Sequence, residues 1–197
     1  MFFIKNFKRK HFEKIVELMY NNTQVGKVKY TEMRSYMFEV NEKVVYGVVG
    51  VCEIEQIGRP PIKGIDKDYY FLQPVYDTKG IIYSPVENNK VMIRSIIGKD
   101  TCIKLIDRAK NCKKDEKIHP SRYDEMVKSQ DVIQLMHLVR ALFNIKNDRA
   151  KELRRMKSAD NRMLATARKL LYGEIAAAMN EDYTAMSEQM DNYLSVL

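Results

Sequence analysis

The sequence predicts an α+β chain: a small β-barrel of SH3 or Tudor type followed by an all-helical bundle. Two observations carry this. Near residue 98 the hydrophobic pattern changes from β-branched and aromatic runs, cut by glycine and proline, to apolar residues three and four apart. The composition agrees, since 197 residues with 45% hydrophobic and 30% charged side chains describe a globular chain with one good core or two small ones. The segments are a leading stretch 1–36, a β-rich domain 37–98 and a helical domain 99–197.

In the leading stretch Phe7, Phe12, Ile15, Val16 and Met19 fall at helical spacing. Eight cations (Lys5, Lys8, Arg9, Lys10, Lys14, Lys27, Lys29, Arg34) face three acids (Glu13, Glu17, Glu32), so this stretch holds +5 of the chain's +8. The formal charge of +8 over the whole chain makes an anionic partner plausible, nucleic acid first and a membrane surface second. The remaining +3 makes a weak charge argument for the domains themselves.

The β-rich domain starts with KVVYGVVGVCEIEQI, in which Gly47 and Gly50 mark turns or a bulge. DYYFLQPV and GIIYSPV are two further short strands, parted by the turn-like YDTKG. Pro74 and Pro85 fall at strand ends, where a missing N–H is tolerated. Four or five strands in about 60 residues give a strongly bent barrel with one open edge, able to accept a strand from a partner.

In the helical domain Ile103, Ile106 and Ala109 mark a short first helix, followed by a polar link from Asn111 to Lys117. HPSRYDEM is too short to assign alone, although Pro120 suits a first helical position. Asp131 caps a helix with a stripe of Val132, Leu135, Met136, Val139, Leu142 and Phe143. Ser158 or Asp160 caps the next, where Met163, Leu164, Ala167, Leu170, Leu171, Ile175, Ala178 and Met179 recur over several turns. A terminal helix carries Tyr183, Met186, Met190, Tyr193 and Leu194.

Little in the sequence suggests catalysis. Cys52, Cys102 and Cys112 are odd in number and form no CxxC pair, which reads as reduced thiols in a cytoplasmic protein and not as a zinc ribbon. No apolar run is long enough for a membrane span, and HFEKIVELMY is amphipathic and no signal-peptide core. His119 and His137 lack metal-spaced partners, and no G-x-S-x-G, Walker A or HExxH motif is present, so neither metal nor cofactor is expected. Glu174 reads as a boundary carboxylate paired with a lysine or arginine of a neighbouring helix. Arg162, Arg168 and Lys169 share the polar side of one helix and Arg140 lies on the preceding one; a solvated face and a phosphate-binding face both fit.

The stretches FEVNEKVVYGVVGVCEIEQI, YYFLQPV and IIYSPVEN resemble the N-terminal domain of the CarD/CdnL family of bacterial transcription regulators. KSQDVIQLMHLVRALF and SADNRMLATARKLLYGEIAAAM resemble that family's C-terminal helical domain, so the resemblance runs from Met37 to about Asn180. It implies a non-enzymatic, monomeric protein whose Tudor-like domain docks on the β subunit of RNA polymerase. The helical domain would then contact promoter DNA at the upstream edge of the transcription bubble. Tethering by the first domain raises the local concentration of the second, so weak basicity suffices.

On this resemblance, Arg59 and the strand Ile82-Tyr83-Ser84 match polymerase-facing positions, with Tyr83 where relatives often have arginine. Arg140 and Arg162 match basic DNA-facing positions, and Arg168 and Lys169 extend that face. Relatives carry a minor-groove tryptophan ahead of the helix near Ser121. This chain has no tryptophan, which leaves Ile118 or His119 as a poorer wedge. An adaptor whose helical domain binds protein and not DNA is the second reading, and an enzyme with an unrecognised site the third. Met37 sits where relatives begin, and the codons of Met33-Arg34-Ser35-Tyr36 can spell a purine-rich ribosome-binding sequence. Residues 1–36 therefore read as an over-called start, the other reading being a genuine basic arm.

Overall fold

A tight hairpin organises the β-rich half. Strand β1 (Lys43–Tyr46) turns through Gly47 and Gly50 into β2 (Gly50–Gly58), its antiparallel partner. Both glycines have positive φ, +47° and +97°, and a Cβ on Gly47 would lie 2.8 Å from Val91 Cγ1. Conformation and space therefore both call for glycine at residue 47. The glycines make the turn, and the bulge lies further on, where the β2–β3 register shifts between Ile54 and Gln56.

The computed structural model describes residues 37–77, 80–88, 90–111 and 117–195, which fall in one compact unit spanning Tyr36–Leu197. The leading stretch, with both its readings, lies outside the described residues, as does Cys112.

Strand β3 (Tyr69–Pro74) pairs with β2 and β4 (Ile82–Pro85) with β3, while β5 (Ile93–Ser95) returns to the outer side of β1. The result is a five-stranded antiparallel sheet of order β4-β3-β2-β1-β5. Pro74 and Pro85 end their strands, as the sequence predicts. The sheet differs from the predicted barrel in being open: β4 and β5 are both edges and do not pair. The connection between them is held by the Asn88 side chain, which accepts the amides of Lys90 and Val91 and donates to Ser84 Oγ. A cavity lined by Phe38, Tyr70, Val86, Val91 and Ile93 stands where closing pairs would form. Inside the curve, Phe38, Val44, Cys52, Ile54, Tyr70 and Leu72 make a small apolar core.

Among the described residues five α-helices follow. Helix α1 (Lys99–Lys110) buries Cys102, Leu105 and Ala109, so its inner face is offset from the expected one and Ile103 is exposed. A 3₁₀ turn (Pro120–Arg122), with proline in its first positions, leads into α2 (Tyr123–Ser129). In α3 (Val132–Lys151) Asp131 caps as predicted, its Oδ1 accepting the Gln134 N–H at 2.8 Å. Helix α4 (Ser158–Met179) is different: Ser158 and Asp160 lie within its first turn, and Lys157 at the cap gives no side-chain bond. Helix α5 (Tyr183–Ser195) packs Met186, Met190 and Leu194 into the main core with Leu135, Leu142, Leu171 and Ile175.

One helical glycine is set by the segment that follows β3. Gly173 is buried in mid-α4, where glycine costs about 1 kcal/mol against alanine. The Tyr76 ring occupies the place of a side chain there, with Cε2 3.0 Å from an ideal Cβ, and the Tyr76 hydroxyl donates to the Gly173 carbonyl at 3.0 Å. Gly173→Leu is therefore expected to lower stability by about 2–3 kcal/mol despite better helix propensity. Denaturant melts give the value, and parental stability would refute the role assigned to this contact.

Candidate functional site

The candidate surfaces lie on an edge strand and on the helices that follow the sheet. Strand β4 is the outer edge beside β3, with Phe71 opposite Tyr83. The Val86 N–H donates to the Asp68 carbonyl at 3.0 Å. By the alternation of an antiparallel ladder, Ile82 and Ser84 then turn their amides inward to β3, and Tyr83 turns its N–H and C=O outward. The Tyr83 ring is exposed and meets Phe71 edge-on at 4.9 Å, next to exposed Ile81. Arg59 follows the end of β2, is exposed, and pairs with Asp66 at 2.7 Å. Ser84 is fully buried with its hydroxyl accepting from Asn88, so it offers a partner no side chain. Ile82 is half-buried.

Behind the sheet, charge joins strand to helix. Glu174 on α4 is 1% exposed and faces Arg94 of β5 through two bonds, that from Nη2 to Oε2 measuring 2.8 Å. Glu174 Oε1 also accepts the Ile97 N–H at 3.0 Å, and Arg94 Nη2 donates to the Gln130 carbonyl at 2.7 Å. One ion pair thus ties β5, the chain entering α1, the α2–α3 corner and α4. The partner of Glu174 comes from a strand, and not from the helix expected of it.

The predicted cationic face is divided: Arg140 is buried, Arg168 and Lys169 keep about a third of their side chains exposed within ion pairs, and Arg162 is exposed. Arg140 is 4% exposed, because α3 is covered on nearly every side from Leu135 to Asn144; it cannot present its guanidinium to a duplex. Arg168 pairs with Asp191, which also accepts the Tyr172 hydroxyl, and lies over the Phe143 and Tyr172 rings. Lys169 is half-buried, 3.9 Å from Asp77. Arg162 alone of the four is exposed. Of the two wedge candidates, Ile118 packs against the helical core and is no free wedge. His119 is exposed, and its Nδ1 caps the 3₁₀ turn by accepting the Ser121 N–H.

Comparison with known families gives two matches in the same order. The CarD-like/TRCF RID domain matches residues 38–97, and the CarD C-terminal domain matches residues 105–191. The chain belongs to the CarD-like family. Such domains mark an RNA polymerase-interacting transcription factor, and the first match contains the whole sheet.

A cationic cluster that the sequence reading of this CarD-like chain did not single out lies around the α3–α4 turn. From Lys146 to Arg162 the sequence has seven cations (Lys146, Arg149, Lys151, Arg154, Arg155, Lys157, Arg162) and three acids (Asp148, Glu152, Asp160). That +4 leaves the rest of residues 37–197 slightly negative. The local density was visible, but splitting the charge only at residue 36 averaged it away. Arg154, Arg155 and Lys157 are exposed, and Arg149 Nη1 braces the turn by donating to the Arg155 carbonyl at 3.3 Å.

The two thiols among the described residues are poor nucleophiles. Cys52 and Cys102 are buried, and burial pushes each up to about 11, so little thiolate forms near neutrality. Among the described residues no cluster of three or more metal-ligating side chains occurs, and no helix is long and apolar enough to cross a membrane.

Proposed function

We propose that this CarD-like protein docks on the β subunit of RNA polymerase and modulates promoter open complexes without chemistry of its own. Edge strand β4 extends a sheet of the β subunit through the Tyr83 main chain, with Tyr83, Ile81 and Arg59 flanking the contact. The helical part meets promoter DNA at the upstream edge of the bubble through the cationic α3–α4 turn and Arg162. Bound there, it shifts the closed-to-open equilibrium by its differential affinity for the two states. The division of labour falls between β5 and α1, and the working unit is a monomer.

The observation that carries this reading is the open edge of β4 in a sheet that forms one compact unit with the helices, with the Arg94–Glu174 pair joining β5 to α4. A tether fixed to its reader raises the local DNA concentration in a defined orientation, so few phosphate contacts suffice. One observation favours the adaptor reading instead: Arg140, Arg168 and Lys169 are engaged within the protein.

Polymerase pull-down combined with a promoter-opening assay separates the two. Reversing Arg154, Arg155 and Arg162 to glutamate is expected to leave polymerase affinity intact and to abolish the change in open-complex lifetime. For binding to duplex DNA, the slope of log affinity against log salt should shrink by about 2–3. A triple variant acting on promoters like its parent would leave the adaptor reading in possession.

A further inference from the structure

Two neighbouring cations of α4 are answered by carboxylates from other elements. Arg168 pairs with Asp191 of α5, and Lys169 Nζ lies 3.9 Å from Asp77 Oδ2 in the segment that follows β3. The two pairs differ in kind. Asp191 also accepts the Tyr172 hydroxyl at 2.9 Å, and the Arg168 guanidinium lies over the Phe143 and Tyr172 rings, so this pair is built into the packing of the helices. Lys169 and Asp77 meet at the outer limit of an ion pair, with 36% and 39% of their side chains exposed. Asp77 is nevertheless held in place, because the Tyr76 ring before it packs against Gly173 and the Tyr76 hydroxyl donates to the Gly173 carbonyl. A fixed segment therefore sets a carboxylate against a cation that solvent still reaches.

Lys169 follows exposed Arg162 by seven residues, which puts it close to the same face of α4 and roughly 10 Å further along the axis. It continues the cationic surface of the α3–α4 turn down the helix, and Asp77 ends that surface. Such an exposed pair adds little to folding, yet a phosphate approaching Lys169 must displace a carboxylate of its own sign. We propose that Asp77 is a built-in counter-ion that withholds Lys169 from DNA, so that the untethered protein disfavours duplex and engages it only when docked on polymerase. This rests on the reading that the helical part meets DNA through its cations. An exposed pair of this kind is worth about twofold to fivefold in affinity. That penalty weighs on the free protein, whose non-specific binding is weak to begin with. It matters little at the roughly millimolar effective concentration that a tether supplies. Preference for promoters already holding polymerase then comes from a contact that repels, set beside those that attract.

The test uses the full chain and a random-sequence duplex over a range of salt concentrations. Asp77→Asn should bind the duplex about twofold to fivefold more tightly than the parent, with the slope of log affinity against log salt steeper by about 1. Asp77→Glu, which keeps the charge, should bind as the parent does. Lys169→Gln should cost more in the Asp77→Asn background than in the parent, because only there is the ammonium free for phosphate. Asp66→Asn removes an equal charge from the exposed pair with Arg59 and should raise affinity less. With polymerase and promoter present, Asp77→Asn should act on open complexes as the parent does, but lose its effect at lower concentrations of competitor duplex. Equal costs of Lys169→Gln in both backgrounds, or an equal gain from Asp66→Asn, would refute the withheld lysine and leave the DNA reading standing. If neither the parent nor Asp77→Asn binds duplex in a salt-dependent way, the DNA reading falls and the counter-ion role with it.

Discussion

Glu174→Ala is expected to destabilise the protein by about 3–4 kcal/mol, toward the upper end for a single substitution. The carboxylate is 1% exposed, and its loss leaves the Arg94 guanidinium and the Ile97 N–H without their acceptor. Arg94 keeps its bond to the Gln130 carbonyl, and its side chain is 27% exposed, so water recovers part of the loss and the full buried-pair figure does not apply. Denaturant melts of Glu174→Leu, Arg94→Met and the variant carrying both complete a cycle. The double variant should be more stable than Glu174→Ala, because no charge is then left uncompensated. Additive losses would show that the two side chains act separately.

The same substitution bears on function. Where the junction loosens but both parts remain folded, polymerase binding through β4 should persist while the promoter effect declines, since the tether no longer fixes the orientation of the helical part. Loss of both together at a temperature where the variant is folded would argue against separate docking and reading surfaces.

The helices were legible because their stripes are local. Asp131 and the run from Val132 to Phe143 announce α3 without reference to any other element. The fate of Arg140 was legible too, but was read from the wrong signal. From Leu135 to Phe143 the only polar residues are His137 and Arg140, and a helix apolar on all sides is one buried on all sides. A polar residue inside such a run belongs to the interior unless something else brings it out. Arg94 was not legible in the same way. It sits in a three-residue strand, and its partner lies 80 positions away on α4, a pairing no periodicity reports. The open sheet was hidden for a related reason, since closure depends on how the connection around Asn88 folds and not on the strands themselves.

The strand edge gives the other large effect. Tyr83→Pro removes the amide that alternation turns outward, and with it a main-chain bond to an added strand and the exposed ring. The expected loss in polymerase affinity is about 2–4 kcal/mol, a thirtyfold to roughly thousandfold weakening, as for a central residue of an interface. Proline at Ile82 would test something else, since that amide faces β3 and its loss damages the sheet itself. Tyr83→Glu keeps the amide and changes only the side chain, so it separates ring from ladder: if strand addition dominates, it should weaken binding less than Tyr83→Pro does. Circular dichroism and Tm must match the parent for either variant to count, and proline is compatible with an edge position whose amide faces away from β3. Polymerase bound as tightly by folded Tyr83→Pro as by the parent would rule out strand addition at β4. Docking would then have to use side chains around Arg59, or the opposite edge at β5, where Arg94 is already committed to Glu174 and Gln130.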